Sequence, residues 1–347
     1  MKRYVPFLLI ALILILAVLA GSSYLARVNK AAERQPLQEI TVYTTLPAEN
    51  ASVLGAAYEK QKLVRIRFVP LDQTNLLEKL GSQVKDKEKD GAAMILADEA
   101  TLAKASASGC LVPYLSQEGD QVPEEFRQGQ GYWTGVWYDP VVFCFNQDYL
   151  KTLHEVPDNW NAISRMPEAR IGVTDFLAAD AASNLFCSMI AQFGDQAAYR
   201  IWADIHPKVV QYAHYLSNPV RQAGMGEVDI AIAVESEALR YMHGGYPLHI
   251  VYPADGTAAI VTGTGIVAGQ DAKNVQLAQN FADWLLTDDA QLALQQQEMF
   301  FVPTNPGIMA YKAFAGKNLM LFSQRPDFTP EQRKQFLDTW LKEIRFK

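Results

Sequence analysis

The 347-residue chain has only three cysteines, Cys110, Cys144 and Cys187, an odd and sparse set that excludes a disulfide-stapled scaffold. Their spacing matches no metal motif. The five histidines, His154, His206, His214, His243 and His249, form no His-x-x-x-His pair, so a zinc centre of the usual kind is not indicated. No Gly-x-Gly-x-x-Gly or Gly-x-x-x-x-Gly-Lys-Ser/Thr loop follows any expected strand, which argues against a dinucleotide or nucleoside triphosphate site. There is no Gly-x-Ser-x-Gly elbow and no paired-carboxylate motif of a hydrolase. Basic residues number 31 against 38 acidic, a formal charge of −7, and nowhere do they gather into the stripe a nucleic-acid binder needs.

What is present is apolar and long enough for two cores. Hydrophobic residues make up 49 % of the chain, and a length of this order commonly divides into two domains. Lys2 and Arg3 precede a continuous apolar run from Val5 to Ala20. Val18 and Ala20 then sit at the −3 and −1 positions before Gly21. Two readings of residues 1–20 stand side by side: a cleaved secretory signal, or an uncleaved membrane anchor. Either one puts the body of the protein in the periplasm or otherwise outside the cytoplasm. No cysteine follows Ala20, so a lipid anchor is not expected. Residues 21–37, polar and rich in alanine, read as a tether.

From there the sequence predicts strand Glu39–Tyr43, a helix from Ser52 to Lys60 capped by Asn50, strand Val64–Val69 and helix Asn75–Lys87. Strand Ala92–Leu96 and helix Ala100–Ser108, stopped by Gly109, complete a βαβαβα run with short connections. Trp133–Tyr138 and Val141–Asn146 read as a pair of extended segments, the second carrying Cys144 as a core residue. Strand Arg170–Thr174, helices Ala182–Phe193 and Gln196–Ile205, a short helix Val220–Gly226 and strand Val228–Val234 form a second α/β unit. Leu248–Tyr252 and Ala258–Val267 are strands returning toward the first. Val275–Leu286, Asp289–Gln297 and the amphipathic stretch Pro330–Phe346 are helical. The organisation expected is a first lobe over 38–137, a second over 138–250, a return to the first over 251–300, and C-terminal helices over 301–347 packing across both. A cleft between such lobes is the default ligand site, and repeated crossings permit hinge closure.

Several segments resemble the iron(III)-type family of bacterial extracellular solute-binding proteins. They are Thr41–Thr45 with the helix after it, Gly109–Tyr114, Tyr132–Val136 running into Phe145–Leu150 and Val156–Trp160, Leu216–Val220 with Gly226–Ile232, and Tyr252–Thr257 with Phe281–Leu285. Their order spans residues 38–305. The resemblance implies an α/β, two-lobed type II periplasmic-binding-protein fold with a hinge. It also implies capture of a small solute for an ABC permease, or its presentation to a membrane sensor kinase, by a monomer that is not an enzyme and carries no cofactor.

Iron-binding members place two adjacent tyrosines just after the strand matching Val228–Val234. Here Glu235-Ser236-Glu237 stands there and the next tyrosine is Tyr241, which tells against a conventional ferric site and leaves ferric uptake as the alternative. The expected ligand is a small polar organic solute such as a sugar phosphate or phosphonate. Thr44 and Thr45, between a strand and a helix N-terminus, suit an oxyanion. Asp180 and Ser183 mark a second such junction, where Ser183 either binds ligand or caps its helix. Asn218 precedes a helix carrying Arg221, a candidate phosphate partner, and Thr257 borders the return segment. Asp98, Asp139, Asp175, Asp180 and Glu235 instead suit an ammonium or a hydroxyl-rich ligand, or serve as caps. Trp137 and Tyr138 either stack on a ligand or pack the hinge.

Overall fold

The computed structural model describes residues 37–347 apart from 89 and 315, so the signal or anchor and nearly all of the tether lie outside the described residues. Strands β1 (Gln38–Thr44), β2 (Val64–Pro70) and β3 (Ala92–Asp98) run parallel, linked by helices α1 (Ala48–Lys62) and α2 (Gln73–Asp86) and followed by α3 (Glu99–Ala107). After β4 (Leu111–Val112) comes β5 (Thr134–Asn146). The middle of the chain forms α4 (Trp160–Arg165), β6 (Ile171–Thr174), α5 (Asp180–Phe193), α6 (Asp195–Ile205), β7 (Val209–Ala213), α7 (Ser217–Gly224), β8 (Ile230–Val234), α8 (Glu235–His243) and β9 (Leu248–Val251). The last part contributes β10 (Ala259–Val267), α9 (Ala272–Leu285), α10 (Asp288–Gln295), β11 (Val302–Pro303) and α11 (Pro330–Trp340).

The strand order is β2-β1-β3-β10-β5-β8-β6-β7, with β4 on β10 and both β9 and β11 on β5. The two extended segments predicted around Asp139-Pro140 are one strand of 13 residues. Its first half, through Pro140, pairs with β10 and β11; its second, from Val141, pairs with β8 and β9. Pro140 has no N–H to give a ladder, and it sits where the strand changes partners, so the missing donor costs little. Thr257 Oγ1 and Val141 N close this crossing, donating to Val141 O at 2.7 Å and to Ala258 O at 2.9 Å respectively.

Alternation along the strands divides each lobe's core into two faces. On β1, Ile40 and Val42 join one cluster and Tyr43 the opposite one. On the second half of β5, Val141, Phe143 and Phe145 point into a cluster with Trp160, Trp202 and Trp340, while Val142 and Cys144 face Val220 and Leu248. All three cysteines are buried free thiols, and burial pushes the Cys144 thiol up to about 12. Gly263 allows β10 to approach β5 closely: a Cβ there would meet Thr134 O at 2.5 Å.

Element ends differ from the sequence reading for local reasons. α1 begins at Ala48, not Ser52, because Pro47 presets the entry and Asn50 falls inside the first turn. Asp72, accepting from Asn75 N at 2.9 Å, starts α2 two residues earlier than predicted. β7 was not predicted, since its burial pattern is mostly half-exposed and exposed.

Candidate functional site: the cleft between the lobes

Register alone locates the cleft. β1, β2 and β3 all end at one edge of the first lobe, at Thr44, Pro70 and Asp98. β10 runs the other way, setting Thr262 beside Asp98 and Ala259 beside Pro140, so that edge faces the crossing. In the second lobe, Val234 at the end of β8 lies opposite Val141, and β6 and β7 run parallel to β8. The carboxyl ends of both parallel sets therefore converge on Pro140–Val141. Helices that follow such strands present their amino termini there.

Two of those amino termini are already satisfied. Asp98 caps α3, accepting from Thr101 N at 2.9 Å and Thr101 Oγ1 at 2.7 Å. Asp139, on the crossing strand, caps α8 by accepting from Ser236 N at 3.0 Å and Ser236 Oγ at 2.6 Å. Burial pushes the Asp139 carboxyl up to about 7, with the nearby charges of Glu235 and Glu237 adding to it and the Ser236 hydrogen bonds opposing. Among the described residues no side chain caps α1, α5 or α7. The first amides of α1 and α5 remain free to meet an anion, whereas in α7 Asn218 N donates to Tyr215 O at 3.2 Å and Pro219 has no N–H, leaving only that of Ser217.

Glu235, at the first position of α8, is fully buried. Its Oε1 accepts from the Tyr252 hydroxyl and from Lys317 Nζ, the latter at 3.2 Å, while Oε2 has no partner among the described residues. The Lys317 ammonium also lies 4.2 Å from the ring centroid of Phe314. Tyr138 is buried and stacks on Phe126 with centroids 4.8 Å apart. Burial raises the pKa of both phenols well above the ordinary tyrosine value, and the Glu235 charge adds to it in each, so Tyr138 and Tyr252 are hydrogen-bond donors at neutral pH. Among the described residues no three His, Cys, Asp or Glu side chains gather as metal ligands.

The predicted site residues divide into two groups. Thr44, Trp137 and Thr257 have side chains turned into the fold. Thr44 Oγ1 donates to Leu96 O at 2.6 Å and accepts from Leu46 N at 3.0 Å, and Thr257 holds the crossing. Trp137 is buried against Phe301, with centroids 5.6 Å apart. The others sit at or after the ends of the strands. Thr45 Oγ1 accepts from Asp98 N at 3.2 Å, joining two strand-end loops. Asp180 is exposed at the start of α5, with Ser183 half-buried one turn on. The next residue, Asn184, donates from Nδ2 to Ala259 O at 3.2 Å and ties α5 to the crossing. Asn218 and Arg221 are half-buried in the first turns of α7, the Arg221 guanidinium 3.4 Å from the Met225 sulfur. Asp175 is 3.5 Å from Arg345 and so engaged.

Sequence reasoning missed Ser236, Tyr252, Lys317 and Arg325. Only Ser236 stood next to a residue already singled out, and nothing in the local pattern distinguishes the other three. Two hollows elsewhere are unrelated to the crossing. One is an internal cavity of about 20 Å³ in the first lobe beside Tyr114 and Asp283, the other a surface hollow of about 340 Å³ at the α5–α6 turn.

Residues 54–320 match the family described as bacterial extracellular solute-binding protein. The chain belongs to this family. This extracellular solute-binding protein is 28 % identical over 257 residues to an uncharacterised protein of Haemophilus influenzae, a match covering 70 % of this chain and 73 % of that one. Its fold is shared with the periplasmic binding protein AfuA of Actinobacillus pleuropneumoniae, solved with exogenous fructose-6-phosphate bound. The two are 20 % identical with a TM-score of 0.66, covering 90 % of this chain and 100 % of AfuA. Iron-bound HitA of Pseudomonas aeruginosa superimposes with a TM-score of 0.64 at 18 % identity, covering 87 % of this chain and 97 % of HitA. The expected α/β, two-lobed periplasmic-binding-protein fold is therefore present, and the protein is a solute binder of transport systems, not an enzyme. Solute-binding proteins of this family act in the periplasm or outside the cell and deliver small solutes to ABC permeases. Among the described residues no helix is long and apolar enough to cross a membrane.

Proposed function

We propose that this solute-binding protein captures a small organic solute bearing a phosphate or phosphonate group and delivers it, as a monomer in the periplasm, to an ABC permease. The observation that carries the reading is the pairing of free helix amino termini with engaged acids at one crossing. α1 from the first lobe and α5 from the second lack side-chain caps and keep their first amides free, while α7 offers the Ser217 amide. Four acids at the converging ends are already committed: Asp98 and Asp139 to caps, Glu235 to Lys317, and Glu99 to Arg325. Free helix amides favour an anion, and the two acids in the first turns of α1 and α5, Glu49 and Asp180, are exposed and keep their charge in water. Thr45, Ser183, Asn218 and Arg221 are the side chains proposed to complete the contacts, with Ser236 and the exposed Asp180 available to solute hydroxyls. The 20 % identical AfuA was solved with a sugar phosphate, which is compatible with this reading.

The direct test is native mass spectrometry of the full chain, purified in detergent without refolding, with phosphorus and iron measured on the same sample. A retained organic molecule with one phosphorus per protein supports the proposal and identifies the solute. Stoichiometric iron overturns it in favour of ferric uptake. If the protein is empty, calorimetric titration with fructose 6-phosphate, 2-aminoethylphosphonate and inorganic phosphate follows, and binding of none of them also overturns it.

A further inference from the structure

Residues 316–325 run along the crossing and tie the lobes together reciprocally. Around Lys317, the side chains of Phe314, Leu319 and Leu321 pack on the first-lobe core, while the ammonium reaches Glu235 in the second lobe, 3.2 Å away. Just beyond, Phe322 belongs to the second-lobe core, its ring 5.3 Å from that of Phe193. Ser323 Oγ and Gln324 N donate to Gln192 Oε1 at 3.3 and 3.1 Å, pinning this part to α5. From there Arg325 reaches back to the first lobe, pairing with the Glu99 carboxylate and donating to the Glu125 carbonyl. Backbone bonds between Thr257 and both Met320 and Phe322, at 3.0 and 2.8 Å, hold the middle of the segment against the crossing.

Each part of the segment thus packs on one lobe and sends a cation to the other. Both acids that receive those cations, Glu99 and Glu235, are the first residues of helices at the converging strand ends. The Glu235 pair is shielded from water, with Glu235 0 % exposed, and lies beside the crossing, where Val234 faces Val141 and parting of the lobes moves groups least. The Arg325 pair is different: its side chains are 39 % and 30 % exposed, so water can replace the contact when the lobes part.

We infer that residues 316–325 form an electrostatic strap in which the Arg325–Glu99 pair holds the lobes together without solute, and that opening the cleft requires this pair to break. The strap regulates the site proposed above and rests on that reading for its effect on solute capture. Its own test needs no solute, so failure of the phosphate reading and failure of the strap are told apart.

The experiment places spin labels on the full chain in detergent at Lys62→Cys and Gln196→Cys, two exposed positions, one on each lobe. Distances are then measured by pulsed electron resonance in solute-free protein. Glu99→Gln and Arg325→Gln are each expected to raise the ratio of long to short distances by about two- to fivefold, the range of a part-exposed ion pair. Raising the salt to 1 M is expected to act in the same direction, since the screening length falls to about 3 Å. The charge exchange Glu99→Arg with Arg325→Glu is expected to restore the short distance. Unchanged distributions in both single variants overturn the inference. So does a widened distribution that the charge exchange fails to narrow, because the two residues would then act separately and not as a pair.

Discussion

Ser236 meets Asp139 with two hydrogen bonds, from its backbone nitrogen at 3.0 Å and its hydroxyl at 2.6 Å, so a carboxyl from the strand that crosses between lobes closes the amino terminus of α8. The helix is therefore held by the crossing itself, through a carboxyl whose burial makes stability depend on pH although its bonds to Ser236 oppose the shift.

That dependence has a sign. Burial pushes the Asp139 carboxyl up to about 7, above the ordinary value of 3.8, so between those values the folded state holds a proton that the unfolded chain releases. The resulting stability is fully present below the unfolded value and is lost as pH rises through the folded one. The difference in thermal midpoint between wild type and Asp139→Asn should therefore move against wild type from pH 5 to pH 8. A difference that stays flat across that range would show that Asp139 does not titrate there.

Removing Lys317 leaves the buried Glu235 charge without its counter-ion. Lys317→Met is expected to cost about 3 kcal/mol, the lower end of the range for a broken buried pair because the lysine is partly exposed. Glu235→Gln should recover most of that loss when added to Lys317→Met, since the amide leaves no charge to compensate. Denaturant unfolding of the three variants measures this, and a double variant no more stable than Lys317→Met contradicts it.

Trp160 joins the second-lobe core to the crossing: its ring meets Phe143 with centroids 4.8 Å apart, and Nε1 donates to Gly256 O at 2.9 Å. Trp160→Ala is expected to cost about 3–5 kcal/mol from the cavity. Trp160→Phe keeps most of the packing, loses the hydrogen bond and should cost less. Equal losses in the two variants would mean that packing at this site carries little of the energy.

The adjacent threonines should separate. Thr44→Val removes the hydroxyl's two hydrogen bonds, leaving Leu46 N without its acceptor and Leu96 O with Thr45 N alone, and is expected to cost about 1–3 kcal/mol of stability. Thr45→Val loses only the acceptor for Asp98 N, is expected to lower the thermal midpoint less than Thr44→Val does, and should weaken calorimetric binding of fructose 6-phosphate about fivefold, the loss of one hydrogen bond to solute. The reverse pattern would move the proposed contact from Thr45 to Thr44.

Hydrophobic periodicity made most of the fold readable. Ile40, Val42 and Tyr43 alternate faces as a strand should, and the continuous apolar run of Val141–Phe145 matches a strand buried on both sides. β7 was hidden because half-exposed Val209 and exposed Val210 lack that alternation with their neighbours. The placement of the candidate site in the fold was legible where it depends on strand ends, as at Thr45, Asp98 and Glu235. It was illegible where residues meet through tertiary packing. Lys317 lies 82 positions from Glu235, and Arg325 lies 226 from Glu99, so no local spacing relates them. Thr44 and Thr45 look alike in sequence, and only the register of β1 against β3 decides which hydroxyl is consumed by the fold.

The place of β10 between β3 and β5 bears on how the protein is made. Synthesis proceeds from the amino terminus, so the first lobe lacks a central strand until residue 267 has emerged. The second lobe is no further ahead, because Trp340 of α11 is part of its core. Neither core can close until the last quarter of the chain is available, and pairings of such long range form slowly. The contacts that complete both cores are thus the last that synthesis makes available, so the order of the strands ties folding to the arrival of the final segments.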